Sequence, residues 1–141
     1  MKILNKIQKE LNVPKGQMNT FGNYRYRSCE DIVEAVKPLL GGAILTIADE
    51  MVMLGDRFYV KATATIKEGE ESISVSAYAR EALDKKGMDT AQITGATSSY
   101  ARKYALNGLF CIDDVKDAES KNTHGKEEKI VQLTTKEELG F

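Results

Sequence analysis

The chain has no tryptophan, one histidine and two cysteines in 141 residues. Each scarcity excludes a chemistry. His124 stands alone, so no histidine pair and no Ser-His-Asp arrangement can be assembled around it. Cys29 and Cys111 lie far apart and form no CxxC. With a single histidine they cannot build a zinc site of a recognised type. Such sparse cysteine fits a reducing cytoplasm and gives no disulfide framework. No apolar run approaches the roughly 20 residues a membrane-spanning helix needs. The start of the chain, with Lys2 and Lys6 flanking Ile3 and Leu4, meets charge too soon for a signal peptide. Neither a GxxxxGK[ST] loop nor a GxGxxG turn is present, which argues against a nucleotide-driven motor. The expectation is a cytoplasmic protein with no membrane segment, no cofactor and no bound metal.

What is present is an ordinary globular composition, 42% hydrophobic and 29% charged, in a chain long enough for one real core. The net charge of −1 hides a division. Residues 1–112 carry 15 Lys and Arg against 13 Asp and Glu; residues 113–141 carry 5 against 8. A mildly basic body with an acidic remainder permits nucleic-acid binding without requiring it. The division expected is a folded domain over 1–115 and an acidic, flexible tail over 116–141. Within that tail Ile130, Val131, Gln132 and Leu133 form a possible short docking segment.

Ile3, Leu4, Ile7 and Leu11 have helical spacing over residues 2–12, and Pro14 lies just beyond. Residues 15–27 read as a loop rich in aromatic and basic side chains. Ser28 and Asp31 form an S-x-x-D capping box that opens a helix to about Leu40. Ile32, Val36, Leu39 and Leu40 line its inner side, and Pro38 distorts its last turn. Three strand-like runs follow over roughly 43–54, 57–67 and 72–82, then a loop over 83–88. Asp89 is placed to cap a long helix from about 90 to 110. The order predicts an α+β fold: an antiparallel three-stranded β-meander covered by a long helix, a β-β-β-α core with N-terminal helices.

The second and third strands alternate on both faces. Setting Lys67 opposite Ser72 pairs Ile66 with Ile73, Ala64 with Val75 and Ala62 with Ala77. The same register pairs Thr63 with Ser76, Lys61 with Tyr78 and Tyr59 with Arg80 on the polar face. Lys61 and Arg80 beside tyrosines could meet phosphates and bases, or the face could simply be solvated. In the loop, Tyr24 and Tyr26 interleave with Arg25 and Arg27. They could stack bases and clamp phosphates, or the rings could anchor the loop to the core. On the long helix, Tyr100 and Tyr104 are i, i+4 neighbours beside Arg102 and Lys103. Pattern alone favours core tyrosines and solvated cations there. Asp113 and Asp114 read as an acidic turn in preference to a metal site.

Two segments resemble the phage essential recombination function (ERF) family. The first runs through Lys15, Gly16, Gln17, Asn19, Phe21, Gly22, Asn23, Tyr24, Arg25, Tyr26, Arg27 and Ser28 to Glu30, Asp31, Ile32 and then Lys37, Pro38, Leu39 and Leu40. The second runs from Gly95 through Ser98, Ser99, Tyr100, Ala101, Arg102, Lys103 and Tyr104 to Leu106, then Leu109, Phe110, Asp113 and Asp114. The resemblance covers roughly residues 3–115. It implies single-stranded DNA binding and ATP-independent annealing of complementary strands in phage recombination, inside a bacterial host cell. It also implies a ring or helical homo-oligomer, with a phage exonuclease or single-strand-binding protein as a possible partner. Carried to this chain, it raises Arg25, Arg27, Arg102 and Lys103 as DNA contacts; the loop pattern adds Tyr24 and Tyr26, and the hairpin register adds Lys61 and Arg80 in support. The alternatives are a module that coats single strands or blocks a host factor without annealing and, more weakly, a metal-dependent nuclease using Asp113 and Asp114. The charge division makes a first prediction: truncation after Val115 leaves the thermal unfolding midpoint within a few degrees of the full chain's. A lost unfolding transition would show that the 130–133 segment completes the fold.

Overall fold

The computed structural model describes residues 1–113; Asp114, His124 and the whole 116–141 segment lie outside the described residues. The chain divides into two compact units, one formed by Met1–Val13 with Ser28–Ile112, the other containing Pro14–Arg27. The first opens with α1 (Lys2–Glu10), which buries Leu4 and Ile7. It ends short of the expected residue 12 because Leu11 has already turned extended. Ser28 caps α2 (Cys29–Val36) as its sequence dictates. Its Oγ accepts from the Asp31 N–H at 3.1 Å, and its own N–H donates to the Asp31 carboxylate at 2.9 Å. Pro38 lacks an N–H and cannot continue the helical ladder, so the chain tightens into a 3-10 turn at Lys37–Leu39.

The meander follows as β3 (Ile44–Leu54), β4 (Arg57–Glu68) and β5 (Glu71–Arg80), in spatial order β3-β4-β5. The β4–β5 register matches the sequence pairing throughout, from Tyr59 opposite Arg80 to Lys67 opposite Ser72. The turn is tighter than the expected four residues, because Glu68 and Glu71 also pair. Gly69 and Gly55 open the two hairpin turns with φ of +60° and +63°, where a side chain would be strained. One face of β4 buries Val60, Ala62, Ala64 and Ile66. The other carries hydroxyls that bond across the strands, Thr63 to Ser76 at 2.7 Å and Thr65 to Ser74 at 2.6 Å.

Helix α3 (Thr90–Phe110) packs chiefly on β4 and β5 and much less on β3. Asp89 caps it with a full capping box: its carboxylate accepts from the Gln92 N–H at 2.8 Å, and the Gln92 side chain accepts from the Asp89 N–H at 2.9 Å. Ala101, Ala105, Leu106, Leu109 and Phe110 join the sheet residues and Leu4, Ile7, Ile32 and Val36 in one core. The Gln8 side chain closes the far end of α3, donating to the Leu109 carbonyl at 2.9 Å. Among the described residues no helix is long and apolar enough to cross a membrane.

The Pro14–Arg27 unit was expected to be a loop. It is a small two-stranded ribbon, β1 (Gln17–Asn19) paired antiparallel with β2 (Tyr24–Tyr26). Asn19 organises its turn: its Oδ1 accepts from the Gly22 N–H at 2.8 Å and its Nδ2 donates to the Tyr24 hydroxyl at 3.0 Å. Strands of three residues are too short to show a hydrophobic alternation, which is why the sequence reads as a loop. For the main unit, Asp89→Ala removes the carboxylate that accepts from the Gln92 N–H at the start of α3 and leaves only the backbone half of the capping box. It is expected to lower the unfolding free energy by about 1 kcal/mol in a urea titration; an unchanged midpoint would mean the cap contributes nothing.

Candidate nucleic-acid interface

A cavity of about 360 Å³ opens where α3 passes the β5 edge of the sheet. Three tyrosines line it: Tyr78 from β5, and Tyr100 and Tyr104 from α3. Two cations, Arg80 and Lys85, stand in the same wall. The floor is apolar or small, with Ala79, Met88, Ile93 and Ala96. Local sequence explains each placement. Alternation along β5 sends Tyr78 and Arg80 to the polar face, and on this edge strand both are exposed at the rim. The turn closed by the Met88 N–H on the Lys85 carbonyl at 3.1 Å brings Lys85 and Met88 round. Its Gly87 takes φ +84°, the left-handed position that a type II turn requires. The preceding Glu81 ties this loop down: its N–H donates to the Phe58 carbonyl at 2.8 Å, and its carboxylate accepts from the Thr94 hydroxyl.

The aromatic geometry is ordered. Tyr100 and Tyr104 lie nearly parallel, with centroids 6.4 Å apart and planes 15° apart. Tyr100 is 50% exposed and Tyr78 53% exposed. The Lys61 ammonium sits 5.9 Å from the Tyr78 ring centroid, so a cation and an aromatic face are presented together. The pattern reading of Tyr100 as core is therefore corrected: the core seam of α3 passes beside it.

The residues singled out from sequence separate into groups. Lys61, Tyr78 and Arg80 adjoin on the polar face of β4 and β5, with Arg80 at the cavity. Arg102 is not a simply solvated cation. Its Nε donates to the Asp49 carboxylate at 3.0 Å, and Ser98 donates to the other carboxylate oxygen at 2.5 Å. This ties α3 to β3. Lys103 is 4% exposed, with its ammonium 5.4 Å from the Tyr104 ring centroid. Arg27 is 1% exposed. Burial removes Arg27 and Lys103 from the accessible surface of the protomer. In the Pro14–Arg27 unit, Arg25 is exposed, and Tyr24 and Tyr26 are half-buried with ring centroids 6.1 Å apart. Lys85, Tyr100 and Tyr104 were not expected at the interface. The signal for Tyr100 was the run Gly95–Ser99 before it, whose small side chains leave room beside a ring.

Among the described residues no group of three or more His, Cys, Asp or Glu could hold a metal. Burial, reinforced by the neighbouring Glu30 charge, pushes the Cys29 thiol up from its ordinary range, so it stays protonated at neutral pH.

The fold and this edge define an α+β protein with an aromatic and cationic surface at one sheet edge. The chain belongs to the ERF superfamily, whose sequence profile matches residues 1–139. It is 68% identical over 117 residues to the Essential recombination function protein of Salmonella phage P22. That match covers 83% of this chain and 57% of the relative, so the chain spans little more than half the relative's length. No solved structure matches it.

The assignment of Arg102 to the fold has a measurable consequence. Arg102→Ala is expected to lower the unfolding free energy by about 0.5–1 kcal/mol, the range for a partly exposed ion pair. Asp49→Ala should do the same, and the double variant should lose less than the two added together. Lys85→Ala, at an exposed loop position, should stay within about 0.5 kcal/mol of the parent. Strict additivity would show that the 3.0 Å contact carries no coupling.

Proposed function

We propose that this protein binds single-stranded DNA and anneals complementary strands in phage recombination, without ATP or a metal cofactor, as a ring or helical homo-oligomer in the cytoplasm of a bacterial host. The observation that carries the reading is the convergence of Tyr78, Tyr100 and Tyr104 with Arg80 and Lys85 at one sheet edge, in a chain of the ERF superfamily. Single-strand binding needs cations that track phosphates and rings that receive bases, and this edge supplies both.

Annealing follows from the same parts. Two strands repel through their phosphates, and neutralising cations release condensed counterions as they bind. The rings hold bases out of a self-stacked coil by contacts that do not depend on base identity. A complementary strand can then replace these weak contacts with pairing, and no hydrolysis is needed to drive the exchange. Assembly would align many such edges. The exposed Met51, Met53, Leu54 and Phe58 around the β3–β4 turn support it, as apolar surface that a second copy would cover. A phage exonuclease that exposes single strands, or a single-strand-binding protein that hands them over, suits this role as partner.

The test is a salt titration with a labelled oligonucleotide, paired with a strand-annealing assay containing chelator and no ATP. Affinity should fall steeply with salt and vary little with sequence. Arg80→Ala and Lys85→Ala should each weaken binding several-fold and reduce the slope of log affinity against log salt by about 0.7, the single-strand value per phosphate contact. An absolute requirement for ATP or metal would overturn the mechanism. Binding without annealing would identify a strand-coating module.

A further inference from the structure

The geometry points to the β5–α3 cavity as a nucleobase pocket, which takes one unstacked base per protomer against Tyr100, with Tyr78 at its rim, while Arg80 and Lys85 meet the flanking phosphates. This rests on the reading of the protein as a single-strand binder and specifies how the strand is held.

Size is the first ground. At about 360 Å³ the cavity falls at the small end of the roughly 300–1,000 Å³ typical of small-molecule sites. It suits one base or nucleoside and is too small for a stacked run or a duplex. Lining is the second. Tyr78 and Tyr100 are each about half exposed, and both contribute to the wall. An aromatic ring left half in water beside a cavity has apolar area to gain from a planar guest. Tyr104 backs Tyr100 in a near-parallel stack, so the receiving ring is held in place before a base arrives. The third ground is how the space is made. Ala96 and Thr97 line the cavity from the helix side. Thr97 turns its hydroxyl onto the Ile93 carbonyl of its own helix at 2.7 Å and makes no demand on a guest. Larger residues at these positions would fill the opening.

A base in this pocket cannot be paired at the same time. The pocket therefore discriminates between single strands and duplexes by geometry, where cations alone would bind both. It also favours release once pairing is complete, because a duplex cannot keep a base in the cavity without breaking a pair.

The experiment compares full-chain protein on two strands of equal length and equal phosphate charge, an oligo-dT and an abasic deoxyribose-phosphate strand, at fixed salt. The wild type should bind oligo-dT about tenfold or more tightly than the abasic strand, the effect expected from base–aromatic contacts. Ala96→Leu, which fills the cavity and leaves every charge and ring in place, should lose most of that preference and keep its affinity for the abasic strand. Tyr100→Leu should behave in the same way, and gives a second route if Ala96→Leu does not fold by circular dichroism. Equal wild-type affinity for the two strands would overturn the base pocket, as would an undiminished dT preference in the folded variants; either result leaves single-strand binding through phosphates standing. Absence of wild-type binding to both strands would overturn the function itself.

Discussion

The close seating of α3 on β4 and β5 is the contact on which the rest depends. It is made by small residues: Ala101 and Ala105 of the helix and Ala62 and Ala64 of the strand are all fully buried in one core. Small side chains on both elements let the backbones approach. The approach is tightest near the helix end, where a Cβ on Gly108 would come within 2.9 Å of the Val75 side chain. Toward its N-terminus the helix is held by the Asp89 cap and by Thr94 on Glu81, and between these anchors the space beside β5 stays open. The cavity follows from helix placement, and Tyr100 and Tyr104 reach it because they flank the core seam of α3.

Arrangement of charge, more than its total, gives the interface its character. The body carries only a small positive excess, and part of its basic complement faces inward. Arg27 and Lys103 are buried and Arg102 is engaged with Asp49. Arg80, Lys85 and Lys61 are left to define the outer field beside the rings, next to strand faces covered with Ser and Thr hydroxyls. A few cations on one edge suffice for salt-dependent contact with a polyanion, because each phosphate contact releases its own counterions.

Much of the fold was legible because its signals are local or periodic. Ser28 with Asp31 announces a helix start, and Pro38 and Gly41 announce its end. The β4–β5 register could be read from alternation on two faces at once, since any slip of one residue would have put Lys61 in the core. Three things were not legible. The β1–β2 ribbon is shorter than any period. The Arg102–Asp49 pair joins residues 53 positions apart, with no pattern linking them. The exposure of Tyr100 depends on what covers α3. Its second half buries Ala101, Lys103, Ala105, Leu106, Leu109 and Phe110, which do not share one narrow stripe, because α1 and α2 pack on it as well as the sheet. A helix covered on several sides shows no clean amphipathic face, so an exposed ring on it looks like a core ring. Lys85 carried no signal, being one of two lysines in a polar loop that only the Gly87 turn aims at the cavity.

A strand that runs along the β5–α3 edge can be located by photocrosslinking. The full-length protein is bound to an oligonucleotide carrying 5-iododeoxyuridine, irradiated and digested, and the crosslinked residues are located by mass spectrometry. Adducts are expected on Tyr78 or Tyr100, with Lys85 or Arg80 within the same crosslinked peptides. Adducts confined to the Pro14–Arg27 ribbon or to Tyr59, with Tyr78 and Tyr100 unmodified, would contradict it.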